Sequence, residues 1–224
     1  MKTSQVLIVG ASRGIGAEFV RQYLADGARV TATGRDGAAL QRLADAGARA
    51  LSLDVASAAG ASALAWPIDG EAFDTVVLNA GVYGPRSSGL QTPTEDEFDA
   101  VMHTNVLGAM RVLPQLQEAL APGAKLAVIS SRMGSIGQRG SADGWLYRAS
   151  KAALNSVLKD VSLVLSGRAI CVALHPGWVR TDMGGSGADI DASESVAGMR
   201  QAIAGLDAAR NGSFLNYDGA PLAW

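Results

Sequence analysis

A single cysteine in 224 residues leaves no disulfide to form within the chain and points to a reducing compartment. Cys171 lies in the apolar run 169–174, where a thiol serves as a small core residue rather than a nucleophile. There are two histidines, His103 and His175, and neither has cysteines or carboxylates around it at metal-ligand spacing; no metal is expected. Both histidines read as structural or solvated. Excess positive charge is missing too: the net charge is −2 with no basic stripe, which excludes nucleic acid as a partner. No apolar run approaches the roughly 20 residues that cross a bilayer. Met1 to Ser4 lead straight into the first apolar run and leave no room for a secretion signal. The expectation is a cytoplasmic protein with no membrane association. Repeats, low-complexity tracts and linkers are absent as well, so residues 1–224 read as one domain with sequence enough for a large core.

What is present is glycine, 27 residues of it, in a chain 48% hydrophobic and 18% charged. Val6, Leu7, Ile8 and Val9 read as a strand buried on both faces, and Gly10, Gly14 and Gly16 follow at once. Ile15, Phe19, Val20, Tyr23 and Leu24 then have helical spacing. Strand, glycine turn and helix together present bare N–H groups and a helix N-terminus to a phosphate. The spacing is G-x-x-x-G-x-G, not the G-x-G-x-x-G dinucleotide fingerprint.

Further strands are predicted at 29–33, 49–53, 75–78, 125–129, 169–174 and 213–216. Helices are predicted at 38–46, 56–65, 146–165 and from Asp191 through Leu206. Another long helix opens on a Thr94/Glu97 capping box and runs to about Leu120, bent by Pro114. Short apolar strands alternating with helices mean an α/β fold: a doubly wound parallel sheet of about seven strands, a Rossmann fold with helices on both faces. Ligands bind such a sheet at the carboxyl ends of its strands. Gly10–Gly16, Arg35, Asp54, Asn79, Ser131 and Pro176 all fall there.

Tyr147 and Lys151 stand four residues apart at a helix start, so both point the same way. A neighbouring ammonium favours the phenolate and lowers a tyrosine pKa from its usual value near 10. Ser131, ending a strand, adds a hydroxyl where an oxygen bound above the sheet could accept a hydrogen bond.

The set Gly10/Gly14/Gly16, Asp54, Asn79-Ala80-Gly81, Asn105, Ser131, Tyr147/Lys151 and Pro176-Gly177, in this order, resembles the short-chain dehydrogenase/reductase family over nearly the full chain. That family's cofactor turn has the G-x-x-x-G-x-G spacing. Within it, the compact length and the ending from Phe214 to Trp224 look most like C-factor/sniffer-type carbonyl reductases. The resemblance implies Tyr147 as general acid in carbonyl reduction and Ser131 as hydrogen-bond donor to the carbonyl oxygen. It implies that Lys151 binds the nicotinamide ribose and depresses the tyrosine pKa, and that Asn105 orders a water relaying protons to Lys151. Ser131 is preferred to Ser130 because Gly134 follows it at the family's interval. The loop 136–144 makes the Ser131–Tyr147 interval longer than the family's commonest.

The same resemblance implies a cofactor site of Gly10, Ser12, Arg13, Gly14, Ile15, Gly16, Arg35, Asp54, Val55, Asn79, Ala80, Gly81, Tyr147, Lys151, Pro176, Gly177, Val179 and Thr181. Asp54 would meet the adenine amino group, and Asn79 the ribose region. NAD users in this fold place an acid at the end of the second strand, but here Thr33, Gly34 and Arg35 stand there. Arg13 and Arg35 suit a 2′-phosphate, so NADP(H) is preferred to NAD(H), with Asp36 as a counter-signal. Val82, Tyr83, Arg132, Met133, Trp145 and Trp178 are the candidate substrate lining and suggest an aldehyde, ketone or quinone. The glycines of 181–189 suggest a mobile flap over an open, broadly specific site. The rivals are a non-catalytic NADP(H)-binding signalling module and oxidation of an alcohol such as a hydroxysteroid. Met110, Leu113, Leu116, Leu158 and Leu165 could supply a homodimer interface.

Overall fold

The computed structural model describes residues 3–224; Met1 and Lys2, read above as part of the lead into the first strand, lie outside the described residues. One parallel sheet of seven strands forms the centre, in the order β3-β2-β1-β4-β5-β6-β7. The strands are β1 (Gln5–Val9), β2 (Arg29–Gly34), β3 (Arg49–Ser52), β4 (Phe73–Leu78), β5 (Leu120–Ile129), β6 (Ala169–His175) and β7 (Ser213–Asn216). The helices are α1 (Gly14–Ala25), α2 (Gly37–Asp45), α3 (Ala58–Ser62), α4 (Glu95–Met102), α5 (Gly108–Val112), α6 (Trp145–Val164) and α7 (Ala192–Ala204).

Helices cover both faces, so the central strands lose their polar alternation: Val6 through Val9 are fully buried. One core joins Leu7, Val9, Val76 and Leu126 to Val112, Leu154 and Leu158. On the opposite face Val6, Ile8 and Val77 pack on Phe19, Leu43, Val196 and Met199. Each such side chain contributes about 1.5–3 kcal/mol by leaving water. The chain winds one way from β1 to β3 and then returns to add β4, so the crevice opens above the β1/β4 pair.

Three expectations change. The long helix from Thr94 to Leu120 is four pieces. The Thr94/Glu97 capping box forms as read, but α4 passes into a π-helical turn at His103–Leu107, then α5, then a 3₁₀ stretch at Leu113–Ala119 that contains Pro114. Asp191 does not cap α7, because its carboxylate accepts from Arg180 Nε at 2.7 Å instead. Of the residues offered for a dimer interface, Leu113, Leu116, Leu158 and Leu165 are core, since the sheet needs that face of both helices. Met110 alone is exposed, beside a groove of about 260 Å³.

Candidate active site

The β1–α1 turn is built by close backbone approach. Gly10 has φ +86°, and a Cβ there would lie 2.7 Å from the Ala80 backbone. A Cβ on Gly16 would lie 2.2 Å from the Gly10 carbonyl oxygen. Gly10 N–H donates to Thr33 Oγ1 (3.0 Å), and Asn79 Nδ2 donates to the Gly10 carbonyl (2.7 Å), tying β1, β2 and β4 together. Helix α1 begins after Arg13 with no side-chain cap and no acid in its first turn. Its first N–H groups and the positive end of its dipole therefore face the cleft uncompensated.

Where β2 ends, Asp36 turns its carboxylate onto Ala39 N–H (2.8 Å) and caps α2. The counter-signal to a phosphate site is thereby spent on the backbone. Arg35 lines the cleft without a side-chain partner among the described residues, whereas Arg13 Nη1 donates to Asp182 Oδ2 at 2.5 Å across its mouth. Both members of that pair are solvent-exposed.

The cleft, about 400 Å³, runs from this turn to Tyr147 and Lys151. Tyr147 is buried, and burial raises its pKa above 10, with the Tyr83 phenol adding to the rise and a hydrogen bond with Ser131 opposing it. Lys151 Nζ donates to the Ile129 carbonyl (2.9 Å) and lies 5.7 Å from the Tyr147 ring centroid. Burial lowers its pKa to about 8. The lowering of the tyrosine pKa expected from Lys151 is absent: Lys151, its ammonium turned onto the Ile129 carbonyl, is not among the groups that shift the phenol here, and desolvation dominates. Ser131 Oγ accepts from Met133 N–H (3.1 Å) at the start of a short turn, whereas the Ser130 hydroxyl donates to Asn155 Oδ1. The Ser131 hydroxyl is the one hydrogen-bonded with Tyr147.

Asn105, 1% exposed, sits on the π turn. Its side chain accepts from Val82 N–H and donates to the Val82 carbonyl, both at 2.8 Å, and donates to Ser150 Oγ at 2.9 Å. The amide thus brackets the strand that leaves β4. The water-ordering role expected of it does not fall to a free side chain.

The short chain dehydrogenase family profile matches residues 4–189. The chain belongs to that family. This dehydrogenase is 37% identical to the C-signal of Myxococcus xanthus over 158 residues, 67% of this chain and 92% of that protein. Among solved structures, a short-chain dehydrogenase/reductase from Burkholderia multivorans with bound NADP superposes with TM-score 0.90 at 32% identity. The carbonyl reductase Sniffer of D. melanogaster gives 0.88 at 32% identity; each pair of structures is matched over 100% of both chains.

In this dehydrogenase Gly10, Ser12, Arg13, Gly14, Ile15, Arg35, Asp54, Val55, Asn79, Ala80, Gly81, Val82, Tyr147, Lys151, Pro176 and Thr181 line one cleft, as the sequence suggested. Gly16 lies beneath the turn instead, and Asn105 behind Gly81, whose added Cβ would sit 3.2 Å from Asn105 Oδ1. Asp54 spends one carboxylate oxygen on Ala56 N–H (3.1 Å). Gly177 has φ +83°, with Ile190 packed against it, and Val179 pairs with Ile190. The segment read as a mobile flap is cross-braced: Trp178 Nε1 donates to the Gly184 carbonyl (2.9 Å) and Arg180 to the Ala188 carbonyl (2.7 Å). Trp178 and Trp145 are held by these loops rather than aimed at Tyr147; Trp145 Nε1 donates to the Gln91 carbonyl.

Sequence reading left Thr33, Asp182 and Met183 out of the site, and Ser130, weighed there and set aside for Ser131, lines the cleft with them. Thr33 carried a usable signal, a small polar residue at a strand end beside the glycine turn. Asp182 and Met183 carried none, because their partners lie far away in sequence.

Proposed function

We propose that this dehydrogenase is an NADPH-dependent reductase of small aldehydes, ketones or quinones, with Tyr147 as proton donor. The observation that carries the reading is one continuous cleft with an uncapped helix N-terminus and an Arg35 unpaired among the described residues at one end, and Tyr147, hydrogen-bonded with Ser131, at the other. The residues present fit the dinucleotide: Gly10, where a Cβ would collide with the Ala80 backbone, lets the turn close under the cleft, and the Asp36 carboxylate is turned onto Ala39 N–H.

NADPH, when bound, would supply the hydride. Backbone N–H groups of the turn and the α1 dipole would hold its pyrophosphate, and Arg35 with Arg13 would pair with its 2′-phosphate. Asp54, Val55 and Asn79 to Gly81 would flank the adenosine half. Pro176, Gly177, Val179 and Thr181 would frame the nicotinamide amide. Lys151 would hold the ribose hydroxyls. Ser131 donates to the carbonyl oxygen as charge develops there, and Tyr147 delivers the proton. A phenol kept protonated by burial suits the direction of reduction, because it meets the substrate as an acid. Val82 lines the cleft with Tyr147, and Met133 follows Ser131 on its turn.

Fluorescence titration with NADPH and NADH, followed by a panel of aldehydes, diketones and quinones, tests both halves of the reading. NADPH should bind more tightly, and Arg35→Ala should lose about tenfold in affinity for NADPH with NADH unchanged. Equal affinity for the two cofactors would overturn the preference; absence of turnover across the panel would overturn the carbonyl assignment.

Likeness to a protein named C-signal favours a second reading, a non-catalytic NADP(H)-binding signalling module on the same fold. The presence of Ser131, Tyr147, Lys151 and Asn105 supports the first reading, because a pure binder has no use for a proton donor.

A further inference from the structure

We propose that Tyr83 is a positioning residue for the proton donor: it clamps the Tyr147 ring, keeps water from the phenol and so limits which carbonyl substituents reach it. The two rings stack with centroids 4.6 Å apart and planes 23° from parallel. On Tyr83 itself lies the Arg86 guanidinium, 5.3 Å from its ring centroid, and Arg86 Nη2 donates to the Met183 carbonyl (3.0 Å) in the braced loop. The hydroxyl end of Tyr83 is seated on Gly144, the residue that starts α6. Gly144 has φ +65°, and a Cβ there would lie 2.5 Å from the Tyr83 hydroxyl oxygen. Immediately before Tyr83, both backbone polar groups of Val82 are held by Asn105.

Tyr83 is therefore fixed through its ring, its hydroxyl end and the residue preceding it. The Tyr147 ring and the Arg86 guanidinium are already its ring partners, which separates it from a residue that merely lines a pocket. A ring held this way fixes the direction of the Tyr147 hydroxyl, and misplacement of a reacting group by about 1 Å can cost on the order of a hundredfold in rate. It also adds to the burial that keeps the phenol protonated. A carbonyl must reach Tyr147 and Ser131 from the side that Tyr83 leaves open, so bulky substituents on the covered side are excluded.

The inference rests on Tyr147 as proton donor for its catalytic consequence, not for its geometry, and the test separates the two. Tyr83→Ala and Tyr83→Phe are compared with the parent by tetranitromethane nitration mapped by mass spectrometry, and by kinetics on a small aldehyde and a bulky aryl ketone. Tyr147 should resist nitration in the parent and in Tyr83→Phe, which keeps the stack, and become labelled in Tyr83→Ala. With NADPH affinity unchanged, Tyr83→Ala should lose about tenfold in kcat on the aldehyde while its relative preference for the bulky ketone rises. The alkaline limb of its pH profile should move to lower pH. Thermal melting confirms that both variants fold; Tyr83→Phe carries the kinetic comparison if Tyr83→Ala does not. Equal nitration of Tyr147 in parent and Tyr83→Ala, or unchanged substrate ranking and pH profile, overturns the proposal. In Tyr83→Phe, near-parent kinetics support it and a tenfold loss overturns it. A parent without turnover, in which protection of Tyr147 still depends on the ring at 83, refutes the carbonyl reading and leaves the clamp standing.

Discussion

At the dinucleotide end of the cleft the working surface is backbone: Gly10, Gly16, the Ala80 main chain and the bare start of α1. At the carbonyl end it is side chains held by other loops, with Tyr83 on Tyr147, Arg86 on Met183 and Trp145 on Gln91. Backbone surfaces cannot yield, because a methyl group there meets atoms that are themselves pinned in the sheet. Side-chain surfaces can be retuned by one substitution in a loop. In this chain the first end therefore tolerates substitution less than the second.

The largest expected effect breaks the carbonyl end alone. Tyr147→Phe should lower kcat by about 10²- to 10⁴-fold, the usual contribution of a positioned acid, with NADPH affinity by fluorescence titration changing far less than kcat. Loss of NADPH binding in that variant would show that the two ends are not separable.

Next comes a pH effect. His175, at the end of β6, has a buried Nδ1 with no partner among the described residues, and burial aided by Arg132 holds its pKa at about 4 against an ordinary 6.5. The unfolded chain then takes up a proton that the folded chain refuses. Stability should be level above about pH 6.5 and fall by about 3 kcal/mol as the pH drops to 4. Denaturant melts at a series of pH values should show this component missing in His175→Gln; identical slopes in the two proteins would refute it.

A matched pair of methyl additions sharpens the comparison. Gly16→Ala drives a Cβ to 2.2 Å from the Gly10 carbonyl and should cost about 1–3 kcal/mol by thermal melting, with weaker NADPH binding, despite the better helix propensity of alanine. Gly140→Ala, in the loop 136–144, meets nothing within 4 Å and should stay within about 0.5 kcal/mol of the parent. Comparable losses at the two positions would remove the contrast.

The smallest effect lies on the seam between the ends. Asp182 occupies Arg13, so on the NADP(H) reading Asp182→Asn should tighten NADPH binding by about two- to fivefold at low salt, with no change for NADH. The gain should fade as salt rises. A gain shared equally by both cofactors would show that Arg13 does not serve the 2′-phosphate.

Much of the site was legible because its logic is local. Gly10, Gly14 and Gly16 lie within one turn, Tyr147 and Lys151 one helical turn apart, and Asn79 to Gly81 directly behind a strand. Short-range spacing decides such placements: the 3.6-residue period of a helix and the steric demand of a tight turn fix them before any packing. The parallel sheet was legible for a like reason, since strands buried on both faces lose their alternation. Tertiary structure alone decided that Asp191 pairs with Arg180 rather than capping α7, and that Asp36 caps α2 and so leaves Arg35 without a side-chain partner among the described residues. It also broke the long helix at Asn105, buried four of the five proposed interface residues and set Tyr83 against Tyr147. Each of these turns on which of several competing partners stands nearest, and only the stacking of helices and loops on the finished sheet sets those distances.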